Sequence, residues 1–525
     1  MPYPKRVFHR DVYLFGIGLL AASLPTSRFT MSVAELLLFG NWLVEWDLLN
    51  KLKRFTRNGP AVVFSSLFLL HVIGLLFTTN FNYAELDLRT KAPLLVLPLV
   101  FSTMPVLTTK QFRGIILVHV IAVILASFVS SYYFFNQNYT DIREISPYIS
   151  HIRLSLNVCM ALVFLLYFIR FPEKSFRIPT WIPVILSLWL AIFLFLLDSL
   201  TGIIIFIVLT ITLLIQISYE IKQKWLQISL RLAVVLLPLI LIGTAFISMR
   251  SCIQPEVINY STLERFTPRM NAYNNDSVNR QIVNGHYVWV YVSEVELKEA
   301  WQKRSKVPYN EINAKGLINS DILIRYMTSL GIRKDSDGVA SMSDEDIRNV
   351  EAGIPDVNEV HDNVVMRRLR EVFFEYQNYI NTGDPSGHSV MMRLEYWKAS
   401  VGIIRNHWLT GVGTGDMNEA FNQEYDEMKS LLKPEWRRRS HNQFLSVTVG
   451  FGVLGLIWFL FALFYPAIVT KKLFTYRFGL FFLILFLSML TEDTIESQDG
   501  VTFAAFFYAY LLFAAKPEKP IFDPE

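Results

Sequence analysis

Residues 441–469 read HNQFLSVTVGFGVLGLIWFLFALFYPAIV, and from Asn442 onward the run carries no Asp, Glu, Lys or Arg. An uncharged apolar stretch of that length predicts a helix that crosses a bilayer. Lipid cannot satisfy a bare backbone, and a helix needs about 20 residues to cross. Working outward, comparable runs lie near 11–26, 30–48, 60–78, 92–108, 112–134, 154–170, 180–197, 200–218 and 228–249 before it, and 475–491 and 499–515 after it. The second of them carries Glu35 and Glu45. The composition agrees: 52% of the 525 residues are hydrophobic and only 18% charged, too apolar for a soluble globule. The 41 Phe, 23 Tyr and 11 Trp suit a protein with two lipid–water interfaces.

The sequence therefore predicts an all-α polytopic membrane protein with about 12 transmembrane helices. Pro4-Lys5-Arg6 followed by Tyr13 to Leu24 has the outline of a secretory signal, but no small-residue cleavage site follows, so it reads as a retained first helix. Cys159 inside an apolar run and Cys252 just outside one do not make a disulfide framework. A net charge of +4 points to no nucleic-acid partner. Its distribution sets the orientation. With a cytoplasmic N-terminus, the short inner segments hold Arg10, Lys51, Lys53, Arg54, Arg57, Lys110, Arg113, Arg170, Lys222, Lys471, Lys472, Lys516, Lys519 and others. The short outer ones hold only Arg28, Arg89, Lys91, Arg143 and Arg153. Both termini are thus expected in the cytoplasm.

Residues 250–441 differ in character, with charged helix-like runs such as Glu294 to Lys303 broken by Gly and Pro. After nine crossings this stretch is expected outside, as one large, mainly helical loop able to bury a core of its own. Three divisions follow: 1–249 with spans one to nine, 250–441 as the outer loop, and 442–525 with spans ten to twelve and a short cytoplasmic tail.

Outer cations break the charge rule and so invite a purpose. Arg89 and Lys91 follow Asp87, Arg153 stands at the mouth of a span, and Arg437, Arg438 and Arg439 lead into His441. A pyrophosphate at the membrane surface would suit them, since guanidinium forks bind phosphate oxygens in pairs. Anchoring to anionic headgroups is the plainer reading. His441-Asn442 sits where the loop meets the tenth span, and an imidazole there could take a proton from an acceptor hydroxyl or be no more than a polar tip. Leu394, Trp397, Val401 and Ile404 recur at helical spacing, which predicts an amphipathic helix against membrane or core, with Arg393 and Trp397 on one face. Gly411, Gly413 and Gly415 do not make a nucleotide loop, for no β-run precedes them and no P-loop lysine follows; a turn ending the helix fits better. Glu492, Asp493, Glu496 and Asp499 could hold a metal or act as a base, but they show no metal-ligand spacing, and a solvated loop is the plainer expectation.

Taken in order, these pieces resemble the bacterial O-antigen ligase and polymerase superfamily across essentially the whole chain. The resemblance is carried by Asp87 and Lys91 after the third span, HIRLSL (151–156) before the sixth and the large loop after the ninth. RLEYWKA (393–399), GVGTGD (411–416), SHNQFLSVTVGFGVLGL (440–456) and EDTIESQDGVTFAAFF (492–507) complete it. The resemblance implies a C-type glycosyltransferase architecture at the inner membrane. Such enzymes move a glycan from undecaprenyl pyrophosphate to an acceptor at the periplasmic face. In the ligases the acceptor is lipid A–core, and the transfer is inverting and needs no metal or cofactor. By position His441 resembles the family's catalytic histidine and Arg393 its diphosphate-gripping loop arginine. Arg153, Arg89, Lys91, Asp87, Arg437 and Arg439 would bind the diphosphate or lipid, with Asn442, Trp397, Glu492 and Asp493 as accessories. One departure stands out: Asp198-Ser199-Leu200-Thr201-Gly202 has Leu200 where the family's turn has an arginine. The rivals are an O-antigen or exopolysaccharide polymerase, a protein O-oligosaccharyltransferase using the same donor, and, from another class, a polysaccharide transporter or flippase. The last would lean on His71 and His119 inside spans, but the chain lacks the internal repeat such proteins tend to show.

Overall fold

A computed structural model describes residues 3–45, 47–136, 145–253, 256–312, 317–360 and 364–515. Arg143, Lys516 and Lys519 of the charge census lie outside the described residues, as do the side chains of Lys5, Arg6 and Cys252.

The chain is overwhelmingly helical and divides into two compact units. The first comprises Met1–Ile221, Tyr396–Lys429 and Arg437–Glu525, the second Lys222–Glu395 and Ser430–Trp436. In chain order the helices are α1 (Tyr3–Ser23), α2 (Arg28–Val44), α3 (Leu48–Arg57), α4 (Gly59–Ile73), α5 (Phe81–Lys91), α6 (Pro93–Thr103), α7 (Thr109–Asn136), α8 (His151–Arg170), α9 (Trp181–Leu196) and α10 (Leu200–Ser218). They continue with α11 (Lys224–Ile253), α12 (Glu294–Arg304), α13 (Asn319–Ser329), α14 (Ser336–Ser341), α15 (Asp344–Glu351) and α16 (Val364–Thr382). The last are α17 (Ser389–Asn406), α18 (Met417–Glu427), α19 (Gln443–Val469), α20 (Tyr476–Thr491) and α21 (Gln498–Ala509).

Among the described residues five helical stretches are long and apolar enough to cross a membrane: Gly59–Phe77, Thr109–Asn136, His151–Arg170, Leu200–Ser218 and Gln443–Val469. The runs near 180–197 and 475–491 form shorter apolar helices, α9 and α20. The run at 92–108 folds into only the eleven residues of α6. The helix stops at Met104, which turns extended because Pro105 crowds the helical conformation of the residue before it.

In the first unit α8 and α21 are buried almost all round, from Arg153 to Leu165 and from Asp499 to Ala509. A helix apolar on every side belongs at the centre of a bundle. α20 and α9 pack on α8, and α6 packs on α21. The ends of these central helices are where the polar residues collect.

The second unit has its own core of Trp301, Leu323, Tyr326, Met327 and Val350. Its one small sheet pairs Ile282 with Tyr287 and Val283 with His286 in antiparallel register. The intervening Asn284 and Gly285 both have positive φ (51° and 85°), as a two-residue hairpin turn with the right twist requires. Arg393 belongs to this unit.

Candidate functional site

The site grows from a helix start. The first turn of α19 leaves backbone N–H groups that need acceptors. Asn442 supplies one set: its Oδ1 accepts from the amides of Phe444 (3.0 Å) and Leu445 (3.1 Å). Asp493, from the loop after α20, supplies another. It accepts from the amides of His441 (3.1 Å) and Asn442 (3.0 Å) and from Ser446 Oγ (2.7 Å). A carboxylate here also meets the positive end of the helix dipole. Burial nonetheless raises the Asp493 carboxyl above its ordinary range, aided by repulsion from Glu496 and opposed by His441 and Ser446.

This clamp fixes His441, whose backbone takes the left-handed region (φ 45°) uncommon outside glycine. Its ring stacks on Tyr396, with centroids 5.4 Å apart and planes 23° apart. Its Nδ1 lies 3.2 Å from Glu492 Oε2. The Glu492 side chain is 5% exposed, that of His441 34%. An ionised carboxylate can only accept, so Nδ1 carries the hydrogen and Nε2 is left as the basic nitrogen. The arrangement is an oriented base: a ring with one nitrogen anchored and a partly open edge.

Cations singled out from the sequence meet the same loop. Glu496 accepts from Lys91 Nζ (2.7 Å), Arg439 Nη1 (3.1 Å) and Gln443 Nε2 (2.7 Å), while Gln443 Oε1 receives the amide of Ile495 (2.9 Å). Lys91 is wholly buried and also faces Asp87 at 3.8 Å, which in turn bonds His71 Nδ1 at 2.8 Å. Burial works against the lysine's charge, but Glu496 and Asp87 outweigh it and hold its pKa above the ordinary value. Burial likewise works against the Glu496 carboxylate, and Lys91 and Arg439 overcome it, holding the group well below the usual carboxylate range. Arg153 reaches the loop from α8, through Nη2 to Asp493 O (3.0 Å) and Nε to Ser497 Oγ (3.4 Å). Among the described residues its buried Nη1 has no hydrogen-bond partner. Asp499 closes the cluster by accepting from Arg28 (2.9 Å).

Among the residues singled out from sequence, His441, Asn442, Glu492, Asp493, Glu496, Asp87, Lys91, Arg153 and Arg439 thus gather on residues 492–497 or touch a neighbour that does. Others stand apart. Arg89 is exposed and pairs with Glu85. Arg437 pairs with Asp426 at 2.9 Å and lies over the Tyr425 ring. The expectation of a solvated acidic loop is overturned. Glu492 and Asp499 are buried and Glu496 nearly so, because each has a cation, an imidazole or a helix start to neutralise it. The apolar stripe does not face the core. Trp397 and Val401 are exposed (36% and 41%), while Tyr396, Ala399, Ser400 and Ile403 form the buried face of α17. Sequence reasoning passed over Tyr396, Gln443 and the His71–Asp87 pair. For Tyr396 the signal was its offset by one from the stripe, which puts it on the opposite side of the helix.

GVGTGD builds a wall beside the site. Val412 N bonds Val449 O and Gly413 N bonds Gly450 O, both at 2.9 Å, and Val453 N bonds Trp408 O at 2.8 Å. The segment therefore runs strand-like along α19 where that helix breaks at Gly452 (φ 66°, ψ −171°). A side chain on Gly411 or Gly415 would strike the backbone of Gly450 or Asn80 within 2.4 Å. Asp416 then accepts from the amides of Thr79 and Asn80, both at 2.8 Å. These glycines serve backbone contact, not phosphate binding.

Residues 351–460, which hold this wall, His441 and the start of α19, match the family model described as O-Antigen ligase. This stretch is similar to the O-antigen ligase family. The match supports the O-antigen ligase and polymerase superfamily for the chain, and with the apolar helices it marks a membrane protein. No curated protein matches the chain.

Proposed function

We propose that this protein is a glycosyltransferase that moves a glycan from undecaprenyl pyrophosphate to lipid A–core at the periplasmic face of the inner membrane, with His441 as general base. The observation that carries the reading is the Glu492–His441 contact, 3.2 Å at Nδ1, on a ring stacked against Tyr396. In this mechanism Nε2 takes the proton of the acceptor hydroxyl, whose oxygen attacks the anomeric carbon. The bond from that carbon to the diphosphate oxygen breaks from the opposite side, so the centre inverts, and the diphosphate leaves with the electron pair. Glu492 stabilises the imidazolium that forms.

Leaving-group charge needs positive neighbours. Arg153 supports that role, because a buried guanidinium N–H without a partner is costly unless a ligand oxygen satisfies it. Arg393 is assigned its grip on the diphosphate by its place in RLEYWKA. Lys91 and Arg439 are already paired with Glu496, so their part is to fix the loop and set a positive local field rather than to bind phosphate directly. Twelve spans, cytoplasmic termini and a periplasmic loop over 250–441 complete the proposal.

The test is complementation of a ligase-deletion strain. His441→Ala and Arg393→Ala should give no ligated lipopolysaccharide ladder at normal membrane abundance. A normal ladder from His441→Ala overturns the reading.

A further inference from the structure

Beside the wall, the first unit has an open depression of about 450 Å³ lined by Thr79, Asn80, Phe81, Asn82 and Glu419. We propose that it is a subsite for a sugar residue of the transferred or accepting glycan, an inference that rests on the glycan-transfer reading and gives it a specificity surface.

The chemistry of the lining carries this. A pyranose offers two kinds of surface: a ring of hydroxyls that donate and accept, and a C–H face that is apolar. Phe81 meets the second. It stands 61% exposed at the first position of α5, a large aromatic face in a polar setting. Aromatic rings gain from stacking on such a face beyond the area they bury. Asn82 and Glu419 meet the first, an amide that donates and accepts beside a carboxylate that accepts. Among the described residues neither side chain has a hydrogen bond within the protein. The Asn80 side-chain Oδ1, by contrast, already caps α5 by accepting from the amide of Tyr83.

The floor is preorganised. Asp416 holds the amides of both Thr79 and Asn80, so the backbone under the depression does not have to order when a ligand arrives. A chain of contacts links it to the segment that carries His441. Asn418, next to Glu419, accepts from Arg439 Nε at 2.9 Å, and Arg439 lies over the Tyr83 ring and two residues before His441.

The test uses the purified full chain in detergent and a delipidated, diphosphate-free repeat-unit oligosaccharide released from the host's own lipopolysaccharide, read by saturation-transfer NMR. Wild type should show transfer to the sugar. Phe81→Ala and the double variant Asn82→Ala with Glu419→Gln should each weaken binding about tenfold, the loss of a stack or of one or two hydrogen bonds. Phe81→Trp should retain it. Asn82 and Glu419 are exposed, so their replacement leaves the fold intact. Absence of sugar signal in wild type, or signal unchanged in the variants, overturns the subsite even if glycan transfer proceeds. Signal lost in the variants of a protein that transfers no glycan leaves the subsite standing and removes the transfer reading. In transfer assays the same variants should raise KM and spare kcat.

Discussion

Replacing Glu492 by Gln isolates the charge that the proposed mechanism asks of it. The amide keeps the size of the carboxylate, and its oxygen can still accept from Nδ1, so His441 keeps its stack on Tyr396. Only the negative charge beside the nascent imidazolium is lost. At the observed 3.2 Å, two unit charges at an effective dielectric near 20 attract by about 5 kcal/mol. The imidazole side chain is 34% exposed, and solvent screening leaves roughly half of that, about 2–3 kcal/mol. Because that interaction matures only as the proton arrives, it falls on kcat, and at about 1.4 kcal/mol per factor of ten the loss is roughly 30- to 150-fold. The assay is transfer by purified protein from a lipid-linked donor, with kcat and KM separated and detergent size exclusion confirming the fold. A Glu492→Gln enzyme within about twofold of wild type, beside a dead His441→Ala, would refute the oriented-base argument.

Two further outcomes follow from the packing. Glu496→Gln leaves Lys91, wholly buried, and Arg439 without their shared anion, and stability should fall by about 3–5 kcal/mol, seen as an earlier midpoint in SDS titration. The sign with pH is fixed by the lowered Glu496 pKa: the native carboxyl stays charged where the unfolded one, near ~4.3, takes up a proton. Wild type should hold this stability above that value and lose it as pH falls below, while Glu496→Gln shows no such loss. Gly452→Ala places a methyl 2.1 Å from Leu409 O at a positive φ and should reduce the yield of folded protein sharply, whereas Gly114→Ala on α7, with open space around it, should not. Equal yields from the two would show that the α19 break is not required.

Much of the bundle was legible because apolar runs report their own length, and five of the runs appear as helices long enough to cross. Their ends were less legible. Nothing in the apolarity of 92–108 marks the stop at Met104; the proline behind it does. The acidic loop was misread for a related reason. A string of Glu and Asp predicts solvent exposure only when nothing neutralises it, and the neutralising groups come from far along the chain. Lys91 lies 405 residues before Glu496 and Arg28 lies 471 before Asp499. No local pattern links them.

The same pairing changes what the cations that break the charge rule in the expected topology mean. Lys and Arg on the outer side of a membrane protein invite a ligand as explanation, because orientation disfavours them there. Here Lys91 and Arg439 share one carboxylate, Arg28 pairs with Asp499, and Arg153 spends two of its three nitrogens on the loop. Three of the four are accounted for inside the protein. What they accomplish is to bury an acidic loop that water would otherwise keep mobile, and that loop in turn holds Asp493 against the start of α19 and Glu492 against His441. The cations thus reach the chemistry through the positions of two carboxylates. Among the described residues Arg153 Nη1 is the one guanidinium nitrogen of the cluster both buried and without a hydrogen-bond partner, and in the proposed mechanism it is the group that meets the substrate's charge.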